Sequence, residues 1–380
     1  MRKQLALAAL ALATAVTTGT AAPANAIRPD PVRQGLETLV HSDRAPGAQA
    51  SVLDGEGDFR TYTAGVGDRD TRAKMPRDGQ VRIGSITKTF TAVVVLQLVG
   101  EGRVGLDDPV EKHLPNLLRG EEIDGNDITV RQLLQHTSGL PDYENDVTDD
   151  ILERRYLSPR DALDIALRHE AVFKPGEKWQ YSNTNYLVAG LMVEKVTGRP
   201  LAEQLDKRII KRIELRHTYF PAPGETAVRD RHPQGYRQET TESPVLNVTE
   251  IDPSASWAAG AMVSTNSDLN RFYSALLKGH GNPLLKEVQR KQMRTTVPVE
   301  EGNSRYGMGL GIMRVQLSEK CVVWGHSGGI PGYGTWAAAT DDGRAASATM
   351  TLEPKTREAV GHLEETVTAA LCRRRTQTSD

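Results

Sequence analysis

Two strand-like runs, Ala48 to Leu53 and Phe59 to Ala64, flank the turn Asp54-Gly55-Glu56-Gly57 and predict a hairpin. The next apolar stretch, Phe90-Thr91-Ala92-Val93-Val94-Val95-Leu96, carries no polar stripe. The helix it predicts therefore belongs inside the fold, not on its surface. From Gly102 to Asp252 the pattern reads mainly as helices and loops. Thr129 to Gln135 predicts a short helix ended by His136-Thr137-Ser138-Gly139-Leu140-Pro141. Pro159 to Arg168 predicts another, and Tyr186 to Val196 a third, stopped by Gly198 and Pro200. Strand signals return at Cys321 to Trp324 and Thr335 to Ala339, which flank a glycine-rich bend, and at Ala345 to Leu352 after Asp341-Asp342-Gly343. A final helix is expected from about Arg357 to Leu371.

Strands at both ends with helices between predict an α/β (α+β) fold. An antiparallel sheet flanked by helices would come from about 27–100 and 253–372, and an all-helical lobe from about 101–252. A cleft between two such lobes is a usual place for a small-molecule site.

The start of the chain changes the picture of where it works. Arg2-Lys3, the short apolar run Leu5 to Val16 and Ala24-Asn25-Ala26 read as an export signal at 1–26, cleaved after Ala26. With no cysteine near that site and no later segment apolar enough to span a bilayer, a secreted, extracellular protein without stable membrane insertion is expected. The 47 basic and 49 acidic side chains nearly cancel, which leaves no electrostatic case for nucleic acid. Cys321 and Cys372 are the only cysteines; export favours a disulfide, the alternative being two buried thiols. No metal-ligand pattern is present, and no cofactor is implied.

Three short segments carry candidate chemistry. Ser85-Ile86-Thr87-Lys88 opens the apolar helix and places a hydroxyl and an amine on one helix face. Ala92 and Val95 continue that face, so Lys88 points toward apolar neighbours. A lysine kept from water is a candidate base for a serine nucleophile, though a serine cap beside a solvated lysine has the same spelling. Tyr181-Ser182-Asn183 precedes a helix, and Tyr143-Glu144-Asn145 repeats its spacing, so the motif alone does not choose between them. His326-Ser327-Gly328-Gly329 follows the strand Cys321 to Trp324, where consecutive glycines would admit the backbone of a peptide-like substrate along a strand edge; taken alone, the segment reads more readily as a tight turn with an incidental histidine.

Together, and in this order, the segments resemble the S-x-x-K, Y-x-N and H-x-G motifs of the penicillin-binding protein and class C β-lactamase superfamily of serine hydrolases. Arg82 to Phe90, Leu134 to Leu140, Pro175 to Tyr186 and Trp324 to Gly329 carry the resemblance, which selects Tyr181 over Tyr143 and extends over roughly Ala45 to Leu371. Within the superfamily the chain looks most like exported, soluble D-alanyl-D-alanine carboxypeptidases. The resemblance implies Ser85 as nucleophile, Lys88 and Tyr181 as proton-transfer groups, and His326 as keeper of the network around Tyr181. It implies substrate contacts from Asn183, Ser327, Gly328 and Gly329, an oxyanion hole of the Ser85 and Gly329 N–H groups, and a Cys321–Cys372 disulfide. A monomer acting on a small peptide or ester is expected, with β-lactams as covalent inhibitors.

Two positions depart from the carboxypeptidase pattern. Gly311 stands where an arginine would hold the substrate carboxylate, and Gly329 where a threonine would; Arg314 is the nearby candidate substitute. A serine-type D-alanyl-D-alanine carboxypeptidase-like hydrolase acting on peptidoglycan-type peptides remains the expected activity; the departures support, as the alternative, an esterase, a D-amino-acid amidase or a D-aminopeptidase of the same fold. A β-lactamase or a non-catalytic penicillin-binding sensor fits less well.

Overall fold

The computed structural model describes residues 30–372; the expected leader at 1–26 and the polar tail at 373–380 lie outside that range. Both N-terminal strands form, as β1 (Gly47–Leu53) and β2 (Phe59–Gly65). They join a sheet of eight strands among the described residues. The others are β3 (Val297–Pro298), β4 (Tyr306–Met308), β5 (Met313–Ser318), β6 (Cys321–Ile330), β7 (Tyr333–Ala339) and β8 (Ala345–Met350). Their spatial order is β2-β1-β8-β7-β6-β5-β4-β3, antiparallel throughout. β1 pairs with β8, Ala48 opposite Met350, so the sheet does join the two ends of the folded chain.

Alternate residues of these strands serve two cores, as the pleat requires. Ala338, Ala346 and Ala348 pack with Leu36 and Leu39 of α1 (Pro31–His41) and with Leu363 and Val367 of the C-terminal helix Arg357–Cys372. Ala337, Ala339 and Ala345 belong to the larger core around α2 (Thr87–Gly100). That helix is buried at every position from Thr87 to Leu96, as its lack of a polar stripe predicts. Phe90 stacks on Phe272, ring centroids 3.7 Å apart; burying such a ring stabilises the fold by about 1.5–3 kcal/mol. The polar atoms of α2 are spoken for: Thr89 donates to the Gly311 carbonyl (2.7 Å) and Thr91 to that of Ala258 (2.9 Å).

The helices expected between the strands are present. α3 (Val130–Gln135) starts at a capping box of Thr129 and Gln132 and ends at His136, in the left-handed conformation with φ 60°. α4 spans Pro159–Ala166, and α5 (Thr184–Thr197) stops at Gly198. α6 (Trp257–Gly260), α7 (Asn266–Leu277) and α8 (Arg357–Cys372) complete the elements around the site. Cys321 and Cys372 are disulfide-bonded, tying the start of β6 to the end of α8. No described helix is long and apolar enough to cross a membrane.

One expectation is corrected. His326-Ser327-Gly328-Gly329 does not follow a strand but lies within β6, which continues to Ile330 before the turn Pro331-Gly332. The ladder to β7 persists through both glycines, Gly328 opposite Thr335 and Gly329 opposite Gly334. On the other side, β5 pairs only with Cys321 to Gly325. The second half of β6 is therefore free of strand partners on that side, and the site is built there.

Candidate active site

Ser85 is not part of α2. It sits in the single 3-10 turn Gly84–Ile86 ahead of it, half-buried. The α2 N-cap is Ile86 and no side chain caps it, so the Ser85 hydroxyl is not spent on capping. Gly84, with φ +51°, lets this turn lie against β6: a Cβ there would stand 2.6 Å from the Gly329 carbonyl oxygen. Gly328 is the reciprocal half, where a Cβ would fall 2.0 Å from the Ile83 carbonyl oxygen. The glycine pair thus brings the main chain of β6 directly against the Ser85 turn.

Lys88, the second residue of α2, is fully buried. Its Nζ lies 2.9 Å from Ser85 Oγ, 2.6 Å from Asn183 Oδ1 and 2.9 Å from the Ala259 carbonyl. The amide oxygen and the carbonyl can only accept, so they fix two of the N–H bonds. The remaining tetrahedral position faces Ser85: a third N–H in the ammonium, a lone pair aimed at the hydroxyl in the neutral amine. Burial pulls the Lys88 amine down to about 8, against the opposing pull of the Glu144 and Asp142 carboxylates. Burial raises the Tyr181 hydroxyl well above the ordinary phenol range, with the Ser85 side chain beside it pulling the other way. At neutral pH it is a phenol, not a phenolate, and its ring centroid lies 4.9 Å from Lys88 Nζ.

Asn183 precedes α5 without capping it. Its Nδ2 donates to Asp142 Oδ2 at 3.0 Å, which orients Oδ1 toward Lys88. His326 is buried, its Nδ1 2.5 Å from the Ser327 carbonyl oxygen. Nδ1 therefore carries the proton, and Nε2 is an acceptor with no hydrogen-bond partner among the described residues. Burial lowers this ring to about 4, so it is neutral over most of the working range. Ser327 is half-buried and Gly329 exposed, with nothing within 4 Å of a Cβ placed on it.

The structure thus unites Ser85, Lys88, Tyr181 and Asn183 in direct contact and sets the 327–329 strand segment beside them. Tyr143, the competing tyrosine, is fully buried and bonds the Ala255 carbonyl instead. Arg314 does not reach the site: it donates to Gln316 and to the Ser304 carbonyl. At position 311 no arginine is possible, because a Cβ would stand 2.5 Å from the Ala92 Cβ and 2.8 Å from the Tyr186 hydroxyl, at φ +72°. The described carboxylates at metal-ligand spacing, Asp54, Glu56 and Asp58, belong to the β1–β2 turn, where Asp54 Oδ1 accepts the Glu56 and Asp58 N–H groups at 3.0 Å.

Sequence reasoning passed over several neighbours of the site. His136 stacks on Tyr181, centroids 4.4 Å apart, and its Nδ1 accepts the Ser182 N–H at 3.2 Å. Ser138 reaches Asn185 Oδ1 at 2.5 Å, and Asn185 Nδ2 reaches His136 Nδ1 at 3.3 Å. Asp142 and Glu144 face Lys88 electrostatically, and burial raises both carboxyls above the usual range. The available signal was the cluster of polar residues in 136–145 between apolar segments, read only as a helix end and a competing motif.

Residues 32–370 match the model of the family described as Beta-lactamase. Protein flp of Staphylococcus aureus (strain MW2) is 29% identical over 239 residues, 61% of this chain and 47% of its own length. Penicillin-binding protein 4* of Bacillus subtilis (strain 168) is 27% identical over 297 residues, 75% of this chain and 64% of its own. The chain thus spans about half to two thirds of the length of these curated relatives. A solved D-stereospecific amidohydrolase from Streptomyces sp. is 40% identical, with a TM-score of 0.80 over 87% of this chain and 97% of that one. This chain belongs to the Beta-lactamase family and has the β-lactamase/transpeptidase-like fold.

Proposed function

We propose that this chain hydrolyses amides or short peptides of D-amino acids that carry a free α-ammonium group, through an acyl-enzyme on Ser85. The observation that carries this reading is the missing cation beside the nucleophile. Position 311 excludes any side chain and Arg314 turns elsewhere, so neither supplies a guanidinium for a substrate carboxylate. A site without that holder suits a substrate whose free charge is an ammonium better than one that ends in a carboxylate. The likeness to the D-stereospecific amidohydrolase supports the same class.

In this mechanism neutral Lys88 takes the Ser85 proton as Oγ attacks the substrate carbonyl, forming the C–O bond. The N–H groups of Ser85 and Gly329 receive the oxyanion, an interaction commonly supplying a few kcal/mol. Tyr181, beside Ser85, gives its proton to the leaving amine as the C–N bond breaks and is reprotonated by the Lys88 ammonium. Water, surrendering a proton to Lys88, then attacks the ester. As the bond to Ser85 breaks, that proton returns to Oγ and the D-amino acid leaves. His326 keeps a neutral acceptor beside this network, and β-lactams acylate Ser85 by the same attack.

A second reading, the D-alanyl-D-alanine carboxypeptidase, draws on the open half of β6, which admits a peptide backbone along Ser327 to Gly329. Parallel assays decide between them: D-alaninamide, its N-acetyl derivative, a D-Ala-D-Ala peptide, a p-nitrophenyl ester and a chromogenic cephalosporin. Turnover of the free amide with loss of the N-acetyl one supports the first reading; D-alanine release from the blocked peptide supports the second, and ester-only turnover overturns both. Export with removal of residues 1–26, and a monomeric state, form part of the proposal; N-terminal sequencing of the secreted protein and light scattering test them.

A further inference from the structure

We propose that His136 is a positioning residue for this reaction: its neutral imidazole, accepting through Nδ1, holds Tyr181 toward Ser85 and Asn183 toward Lys88. The inference rests on the acyl-enzyme reading of Ser85. His136 grips the Tyr181 segment at three places. Its carbonyl accepts the Gln180 N–H at 3.0 Å, its Nδ1 accepts the Ser182 N–H at 3.2 Å, and its ring lies over Tyr181 at an interplanar angle of 26°. The backbone on both sides of Tyr181 is therefore bonded to one residue, and Tyr181's own ring is stacked on it.

The tautomer follows from the donors. A backbone N–H can only donate, so Nδ1 must present a lone pair. Asn185 agrees, because its Oδ1 accepts from Ser138 and so turns Nδ2 toward the same His136 nitrogen. Nε2 carries the proton and has no hydrogen-bond partner among the described residues. A second proton on this ring would set an N–H on Nδ1 against two donors and expel the Tyr181 segment. Burial, together with the nearby Lys88, keeps that proton off by pushing the ring well below the ordinary histidine range.

The left-handed φ of 60° at His136 belongs to the same device. It ends α3 so abruptly that the carbonyl and the ring of one residue both face the 180–182 backbone. Leu134, two residues earlier, receives the Tyr186 hydroxyl at 2.9 Å, and Pro141 receives Thr184 Oγ1 at 2.6 Å. The helix end and the Y-x-N segment are thereby fastened at several points, with His136 the one that flanks Tyr181 on both sides.

Two variants separate its parts. His136→Phe keeps a ring on Tyr181 and removes the acceptor; His136→Asn keeps an acceptor near the Nδ1 position and removes the stack. On a p-nitrophenyl ester, His136→Phe is expected to lower kcat about 10- to 100-fold with KM changed less than about threefold, and His136→Asn to recover most of kcat. In a Tyr181→Phe background the His136→Phe loss, read as the rate of Ser85 acylation, should shrink below about threefold. An unchanged kcat in His136→Phe, or an equal loss in both backgrounds, overturns the proposal. Nitrogen-15 NMR of the unaltered protein gives a test that does not depend on the variants folding: a proton on His136 Nδ1 at neutral pH also overturns it. Full activity in Ser85→Ala would instead sink the acyl-enzyme reading itself.

Discussion

The two halves of the site are held by different physics. Lys88 is carried by a helix packed in apolar surroundings from Thr87 to Leu96, and Ser85 by the single turn that leads into it. Tyr181 and Asn183 lie at the head of a helix where side-chain and backbone hydrogen bonds from 134–142 do the holding. Apolar burial is tolerant of direction and sets depth and dielectric, which here means the proton affinity of Lys88. Hydrogen bonds are directional and set angles, which here means where a phenol and an amide point. The first half should fail as lost stability, the second as lost rate in a folded protein.

The sharpest challenge to this division is Ser85→Ala, which leaves both holding systems intact. Its kcat should fall about 10⁴-fold or more with an unchanged unfolding midpoint, measured by hydrolysis and by mass-spectrometric search for an acyl adduct. Phe90→Ala, in the apolar half, should cost about 3–5 kcal/mol in denaturant titration. The specific activity of its folded fraction should stay within about twofold of the parent. A large loss of rate in that folded fraction would erase the contrast.

Ser138→Ala breaks the polar half, since that hydroxyl bonds both Asn185 Oδ1 and the Leu140 N–H. A cost of about 1–3 kcal/mol is expected, with kcat falling more than KM rises. The smallest effect concerns Lys88. Activity should rise with pH as the amine loses its proton near 8. Glu144 raises that value, so Glu144→Gln should shift the limb to lower pH, by less than about one unit. An ester without an ammonium group is the right substrate for this titration. A shift to higher pH would contradict the assigned electrostatics.

What could be read before the structure followed the same division. The burial of α2 and the pairing of Ser85 with Lys88 come from local spacing and a long apolar run, and both were legible. Tyr181, Asn183 and His326 were legible through motif order along the chain. His136 was not, because its importance comes from a left-handed backbone and from partners about forty-five positions away that no periodicity reports. The extent of β6 was also hidden. Two adjacent glycines suggest a bend, yet here they permit the approach of another backbone while the ladder continues. β3 and β4 are too short to leave an alternation in the sequence.

The packing at Gly311 has an evolutionary consequence. Ala92 and the Tyr186 hydroxyl already occupy the space a side chain would need; they belong to α2, which carries Lys88, and to α5, which Asn183 leads into. A lineage with this arrangement cannot acquire a carboxylate-binding arginine at 311 by one mutation. The intermediate would have to reopen the joint between α2 and α5, losing the placement of Lys88 before gaining any new specificity. Gly329, open and exposed, offers the easier route. Diversification of substrate preference among descendants of this protein should therefore accumulate along the rim of β6 while its interior stays unchanged.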